Sequence, residues 1–276
     1  MKTLSVVLVA SCLLSVRPAA AGEYDLLIKG GRVVDGTGAP WRRADVAVKG
    51  DRIVAVRPRI EAPARKTIDA AGRVVAPGFI DVHTHARRGI FEVPTAENYV
   101  RQGVTTLVEG QDGSSPLPLG AFLSKVEALR PAVNFASLVG HGSVREAVMG
   151  REDRAPSAAE LARMEGLVRE AMREGAFGLS TGLFYVPGTF ARTDEVIALA
   201  RVAGERGGIH VSHMRDEAAG VVASVRETIA IGEEGRLPTQ VTHHKAIGRA
   251  AWGRSEETLA LLEEARRRGV DATVDA

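Results

Sequence analysis

The chain has 276 residues, 45% hydrophobic and 25% charged, with a formal net charge of +2. That composition excludes a disordered, collagenous or low-complexity chain, and near-balanced, scattered charge gives no electrostatic footprint for nucleic acid. The length suits one large domain, or one domain with a small appendage.

In chain order, Lys2, an apolar stretch from Leu4 to Leu14 and the small residues Ala19-Ala20-Ala21 read as a secretory signal over residues 1–21. An exported chain, periplasmic or secreted, is expected, with no stable membrane span once the signal is cleaved. Val9-Ala10-Ser11-Cys12 also resembles a lipoprotein signal. The apolar stretch before Cys12 is short and apolar residues continue beyond it, so anchoring ranks second. Cys12 is the single cysteine, so the mature chain has no thiol, and any metal must be held by imidazole and carboxylate.

From residue 22 to 72 short apolar runs alternate with turn residues: Asp25-Leu26-Leu27-Ile28, Arg32-Val33-Val34, Ala44 to Val48, and Arg52 to Val56. Gly50-Asp51 between two β-branched runs predicts a hairpin. This is a small all-β segment.

Over residues 73–276 the rhythm changes. Apolar runs at Val74–Val82, Val104–Val108, Val133–Val139, Ala176–Leu179, Gly208–Val211, Thr239–Thr242 and Val270–Val274 are separated by helical patterns. Ser157-Ala158-Ala159-Glu160 is a capping box, and the helix it opens ends at Gly175. Further helices are expected from Thr193 to Gly207-Gly208 and from Ser255 to Gly269. Alternating strands and helices predict an α/β fold with a parallel sheet and crossover helices. About seven strands of a (β/α)8 TIM-like barrel are countable, so the barrel is expected to be incomplete.

Chemistry-bearing residues gather at the C-terminal ends of these runs, where a parallel barrel keeps its active site. His83-Thr84-His85 ends the first run, and two-residue spacing turns both imidazoles to one side of an extended segment. Asp112 follows the second, His213 ends the fifth and His243 the sixth. Four of the seven histidines thus fall where separate strands open to the same end. Imidazoles with a carboxylate and no thiol suit Zn²⁺ or another divalent ion.

Pro77-Gly78-Phe79-Ile80-Asp81-Val82-His83-Thr84-His85, after the opening Gly30-Gly31-Arg32-Val33-Val34-Asp35-Gly36-Thr37-Gly38, resembles the amidohydrolase superfamily. The segments Leu179 to Gly188, Ser212 to Glu217 and Thr242-His243-His244-Lys245 narrow the resemblance to its N-acyl-D-amino-acid deacylases (D-aminoacylases). The resemblance implies an N-terminal β-sandwich portion and a barrel. It also implies one or two Zn²⁺ ions and hydrolysis of a small N-acyl-D-amino acid. His83 with His85 would then hold one metal position, and His213 with His243 the tighter one. Tyr185 and Lys245 would face the substrate, Lys245 pairing with its free carboxylate.

Two departures from the family pattern stand out. A cysteine commonly bridges the metals after strand two, where this chain has Asp112, a harder ligand. The family's catalytic aspartate follows strand eight, and no residue present takes that role. The chain alone is therefore expected to be inactive. Other readings are an amidohydrolase of cyclic amides or isoaspartyl dipeptides, or a non-catalytic truncated relic.

Overall fold

The computed structural model describes residues 23–276, so the secretory signal expected over residues 1–21, with Cys12, lies outside the described residues. The chain divides into two compact units between Pro77 and Gly78.

The first unit is one mixed sheet. Its strands are β1 (Tyr24–Val33), β2 (Arg42–Lys49), β3 (Arg52–Arg57), β4 (Ala64–Asp69) and β5 (Val74–Val75). The order is β3-β2-β1-β4, with β5 also on β1. β1 runs antiparallel to β2, and β2 to β3 across the Gly50-Asp51 turn, as the two β-branched runs predict. β4 and β5 lie parallel to β1. Asp45, buried mid-strand, accepts the backbone N–H groups of Gly30 (2.7 Å) and Ile60 (2.9 Å). Both carboxylate oxygens are thereby satisfied inside a small core.

The apolar run Val74–Val82, expected to be a single strand, is split in the structure. Val74–Val75 pairs with β1 and belongs to the first unit, and only Phe79–Asp81 opens the second. Pro77 has no N–H to continue a ladder, and a Cβ at Gly78 would lie 2.2 Å from Thr105 Oγ1. The boundary therefore falls later than the change of rhythm at Gly72.

The second unit begins with β6 (Phe79–Asp81), α1 (Gly89–Glu92), α2 (Glu97–Val100), β7 (Val104–Glu109), α3 (Leu119–Leu129), β8 (Asn134–Ser137) and β9 (Val139–Gly140). It continues with α4 (His141–Met149), α5 (Ala158–Arg173), β10 (Gly178–Gly182), α6 (Thr193–Gly204), β11 (Ile209–His213) and α7 (Val221–Gly235). β12 (Thr239–Val241), α8 (Ser255–Arg267) and β13 (Ala272–Val274) complete it. Every strand pair here is parallel, in the orders β6-β7-β8 and β9-β10-β11-β12-β13. The third predicted run is interrupted at Leu138: β8 pairs with β7, while β9 pairs with β10. This is an open run of a TIM-like barrel, and β6 and β13 do not pair.

α5 shows how the sequence writes its own limits. Ser157 accepts from the N–H of Glu160 while Glu160 returns to the N–H of Ser157. Met164, Val168, Ala171 and Met172 form its buried face. Each larger side chain contributes about 1.5–3 kcal/mol by leaving water. At the far end Gly175 takes φ +109°, and the N–H groups of Gly175 and Ala176 satisfy the carbonyls of Met172 and Ala171. Thr193 does open α6, but its hydroxyl donates to Glu227 (2.9 Å) instead of capping the helix.

Candidate metal centre

The first element of the site is the turn after β6. Thr84 is buried, and both its N–H and its hydroxyl donate to the carbonyl of Val108, each at 3.1 Å. Gln111 Nε2 holds the carbonyl of Val82 at 2.6 Å. With Thr84 turned toward β7, alternation puts His83 and His85 on the opposite side, their Nε2 atoms 3.3 Å apart.

Asp112 is presented by the loop after β7. Its backbone lies in the left-handed region (φ +57°), between Gly110 (φ +84°) and Gly113 (φ +72°). The loop is wedged in place: a Cβ at Gly110 would meet Leu138 O at 2.3 Å, and one at Gly182 would meet Asp112 O at 2.1 Å. Ser180 ties it across to β10, donating to Gly110 O and accepting from the N–H of Gly113. A non-glycine residue at positive φ carries a conformational cost that the surrounding packing must hold.

His213 ends β11, and its carbonyl accepts from the N–H of Leu183 (3.1 Å). His243 follows β12 at φ +38°, its N–H donated to Asp275 Oδ1. Asp275 also accepts from Gln240 Nε2 (2.5 Å), so the chain after β13 fixes the turn that carries His243.

These side chains converge. Asp112 Oδ2 is 3.3 Å from His85 Nε2 and 3.8 Å from His83 Nε2, while Oδ1 is 3.4 Å from His213 Nδ1 and 3.7 Å from His243 Nε2. His213 Nδ1 and His243 Nε2 stand 2.9 Å apart. Tyr185 Oη is 3.4 Å from His213 Nδ1, and Lys245 Nζ is 2.8 Å from His243 Nδ1. All seven residues singled out in the sequence line one cavity of about 610 Å³.

The donors fit a divalent cation. Asp112 Oδ1 and His83 Nδ1 are buried with no hydrogen-bond partner, and four imidazoles crowd one carboxylate. Two ligand triads, His83–Asp112–His243 and His213–Glu217–His243, have donor atoms close enough to share an ion. Burial pushes the Asp112 carboxyl up, but the imidazoles of His213, His243 and His83 beside it outweigh that and hold the group ionised far below the usual carboxylate range. The Asp112 carboxylate in turn raises His243 above its ordinary value against the opposing burial. Burial, then the charges of Asp112 and Glu217, raise Tyr185, keeping its phenol a hydrogen-bond donor.

Sequence reasoning passed over Glu217. It lies in Met214-Arg215-Asp216-Glu217, past the strand end, where no periodicity marks a residue as facing the cavity. Phe184, Asp216, Ala218 and Ile247 also line the cavity.

The amidohydrolase family model matches residues 66–275. The chain is 42% identical over 275 residues to an N-acyl-D-glutamate deacylase of Alcaligenes xylosoxydans xylosoxydans, covering 92% of this chain and 56% of that protein. It is also 42% identical to a D-aminoacylase of the same organism over 276 residues, 92% of this chain and 57% of that one. Among solved structures, an N-acyl-D-glutamate deacylase from Bordetella bronchiseptica, complexed with zinc and a phosphonate inhibitor, is 43% identical. It superposes with a TM-score of 0.86, covering 91% of this chain and 58% of that one. The chain therefore spans little more than half the length of these relatives. With its glycine-wedged carboxylate and strand-end imidazoles, the chain belongs to the amidohydrolase family.

Proposed function

We propose that this chain supplies the metal-binding and carboxylate-binding part of a deacylase that hydrolyses the amide bond of N-acyl-D-amino acids. The observation that carries the proposal is Asp112, whose two oxygens are divided between the His83/His85 pair and the His213/His243 pair. The four imidazoles and Asp112 would hold one or two Zn²⁺ ions, or another divalent metal. Zinc in the Bordetella bronchiseptica relative supports that choice. When bound, such an ion acts as a Lewis acid toward an amide carbonyl and toward water.

The remaining residues supply binding and orientation. Lys245 carries a positive charge at the cavity wall, where it can pair with the free carboxylate of an N-acyl amino acid. The Tyr185 phenol, held protonated, can donate to an oxygen that gains negative charge as the amide carbon becomes tetrahedral. Phe184 and Ile247 add apolar walls. Identities near 40% to N-acyl-D-amino-acid deacylases over most of the chain support this substrate class. Likenesses to hydantoinases and a dihydropyrimidinase at 17–20% identity support the fold alone.

The amino-terminal Lys2, Leu4–Leu14 and Ala19-Ala20-Ala21 support export to the periplasm or beyond. Among the described residues no helix is long and apolar enough to cross a membrane.

The test has two parts. Equilibrium dialysis of the purified chain against Zn²⁺ is expected to show tight binding that is lost in H213A and H243A. The full gene product, loaded with Zn²⁺, is expected to release free amino acid from N-acetyl-D-amino acids. Turnover of hydantoins or N-acetyl-L-amino acids in its place would sink the substrate assignment.

A further inference from the structure

Of the tetrapeptide after His213, three residues are fully occupied with structure. Met214 is buried in the core. Arg215 forks onto Glu227 and the carbonyls of Thr189 and Ala191, pinning the segment that carries Tyr185. Asp216 accepts from the N–H groups of Ala218 and Gly220 at the start of α7. Glu217, only 7% exposed, is the one whose carboxylate turns to the metal ligands.

Its Oε1 stands 2.9 Å from His243 Nδ1 and 2.7 Å from Lys245 Nζ, which are themselves 2.8 Å apart. Nε2 of the same imidazole faces His213 and Asp112. An imidazole that offers Nε2 to a cation must carry its proton on Nδ1. That N–H then confronts the Lys245 ammonium, donor against donor, unless an acceptor lies within reach of both. Glu217 is that acceptor. Without it, Lys245 can donate to Nδ1, the proton moves to Nε2, and the face turned to the ion no longer has a lone pair.

We propose that Glu217 is a positioning residue that fixes the Nδ1–H form of His243 and so lets Lys245 and a metal-binding imidazole coexist. This rests on the metal-centre reading above, and its failure is separable from that one. The measurement is Zn²⁺ affinity of the purified chain by competition with a chromophoric chelator, alongside the Co²⁺ ligand-field spectrum. E217A is expected to bind about 10–100-fold more weakly, the range for loss of such a supporting partner. E217Q, which keeps an acceptor oxygen, is expected to restore most of the affinity and the spectrum. Adding K245M to E217A is expected to recover part of the loss, because the opposing donor is gone.

Unchanged Zn²⁺ binding by folded E217A overturns the proposal while leaving the metal centre standing. E217Q as weak as E217A makes Glu217 a direct ligand and also overturns it. A wild-type chain that binds no Zn²⁺ overturns both readings. Should E217A fail to fold, the Zn²⁺-loaded wild-type chain still decides. Long-range ¹H–¹⁵N spectra must show His243 bound through Nε2 with the proton on Nδ1, and coordination through Nδ1 refutes the role.

Discussion

Asp112 Oδ1 lies 3.4 Å from His213 Nδ1, although His213 ends β11 while Asp112 sits in the loop after β7 and reaches that point through a left-handed backbone. Its other oxygen faces His85. A carboxylate divided in this way can bridge two ions, and it is a harder bridge than a thiolate. D112A is expected to lose the weaker Zn²⁺ equivalent, with a Kd increase of at least about tenfold, roughly 1.4 kcal/mol. D112C is expected to shift preference toward Cd²⁺ over Mn²⁺. Metal stoichiometry and competition titrations check both.

Metal binding will depend on pH with a definite sign. A ligand imidazole must shed its proton to bind a cation, and the neighbouring Asp112 carboxylate raises the pKa of His243 above 6.5. Zn²⁺ affinity therefore falls as pH drops through a point above 6.5. In D112N that fall moves to lower pH. Apparent Kd values across about pH 5.5 to 8.5 would show the displacement.

His210 sets an acid limit on stability. It is wholly buried between Thr181 and Thr239, whose hydroxyls lie 3.0 and 2.8 Å from its two nitrogens. Burial pushes its pKa down to about 3 from 6.5. Between those values the unfolded chain holds a proton that the native chain does not. Stability is thus full above pH 6.5 and falls toward pH 3 by up to about 1.4 kcal/mol per pH unit. Urea midpoints over this range should flatten in H210Q.

Gly182 is required by the site as well as by the fold. A methyl group there would meet the Asp112 carbonyl at 2.1 Å, so the loop that aims the carboxylate must move. G182A is expected to cost about 1–3 kcal/mol of stability. Zn²⁺ affinity should fall at least about tenfold in the molecules that still fold. An alanine variant that binds Zn²⁺ as tightly as the parent would disprove the link.

Away from the cavity, Glu195 of α6 joins His141 and Arg145 of α4 in a buried cluster. Arg145 also donates to the carbonyls of Glu152 and Arg154, closing the loop before α5. R145M leaves the Glu195 charge with His141 alone, and breaking a buried pair costs about 3–5 kcal/mol. Equilibrium urea denaturation measures it.

By itself the sequence determined the alternation of strand and helix, the caps of α5, and the identity of the imidazoles and carboxylate, because periodicity and capping act over a few residues. His-Thr-His spacing was legible for the same reason: alternation along an extended segment is local. It did not determine that Val74–Val75 leaves the second unit, since both halves of that apolar run read alike and only the pairing with β1 separates them. Nor did it mark Glu217, whose role arises where a turn after β11 meets a turn after β12. Distances between residues far apart in the chain depend on sheet order and on close backbone contacts at glycines. Only the tertiary structure decides those.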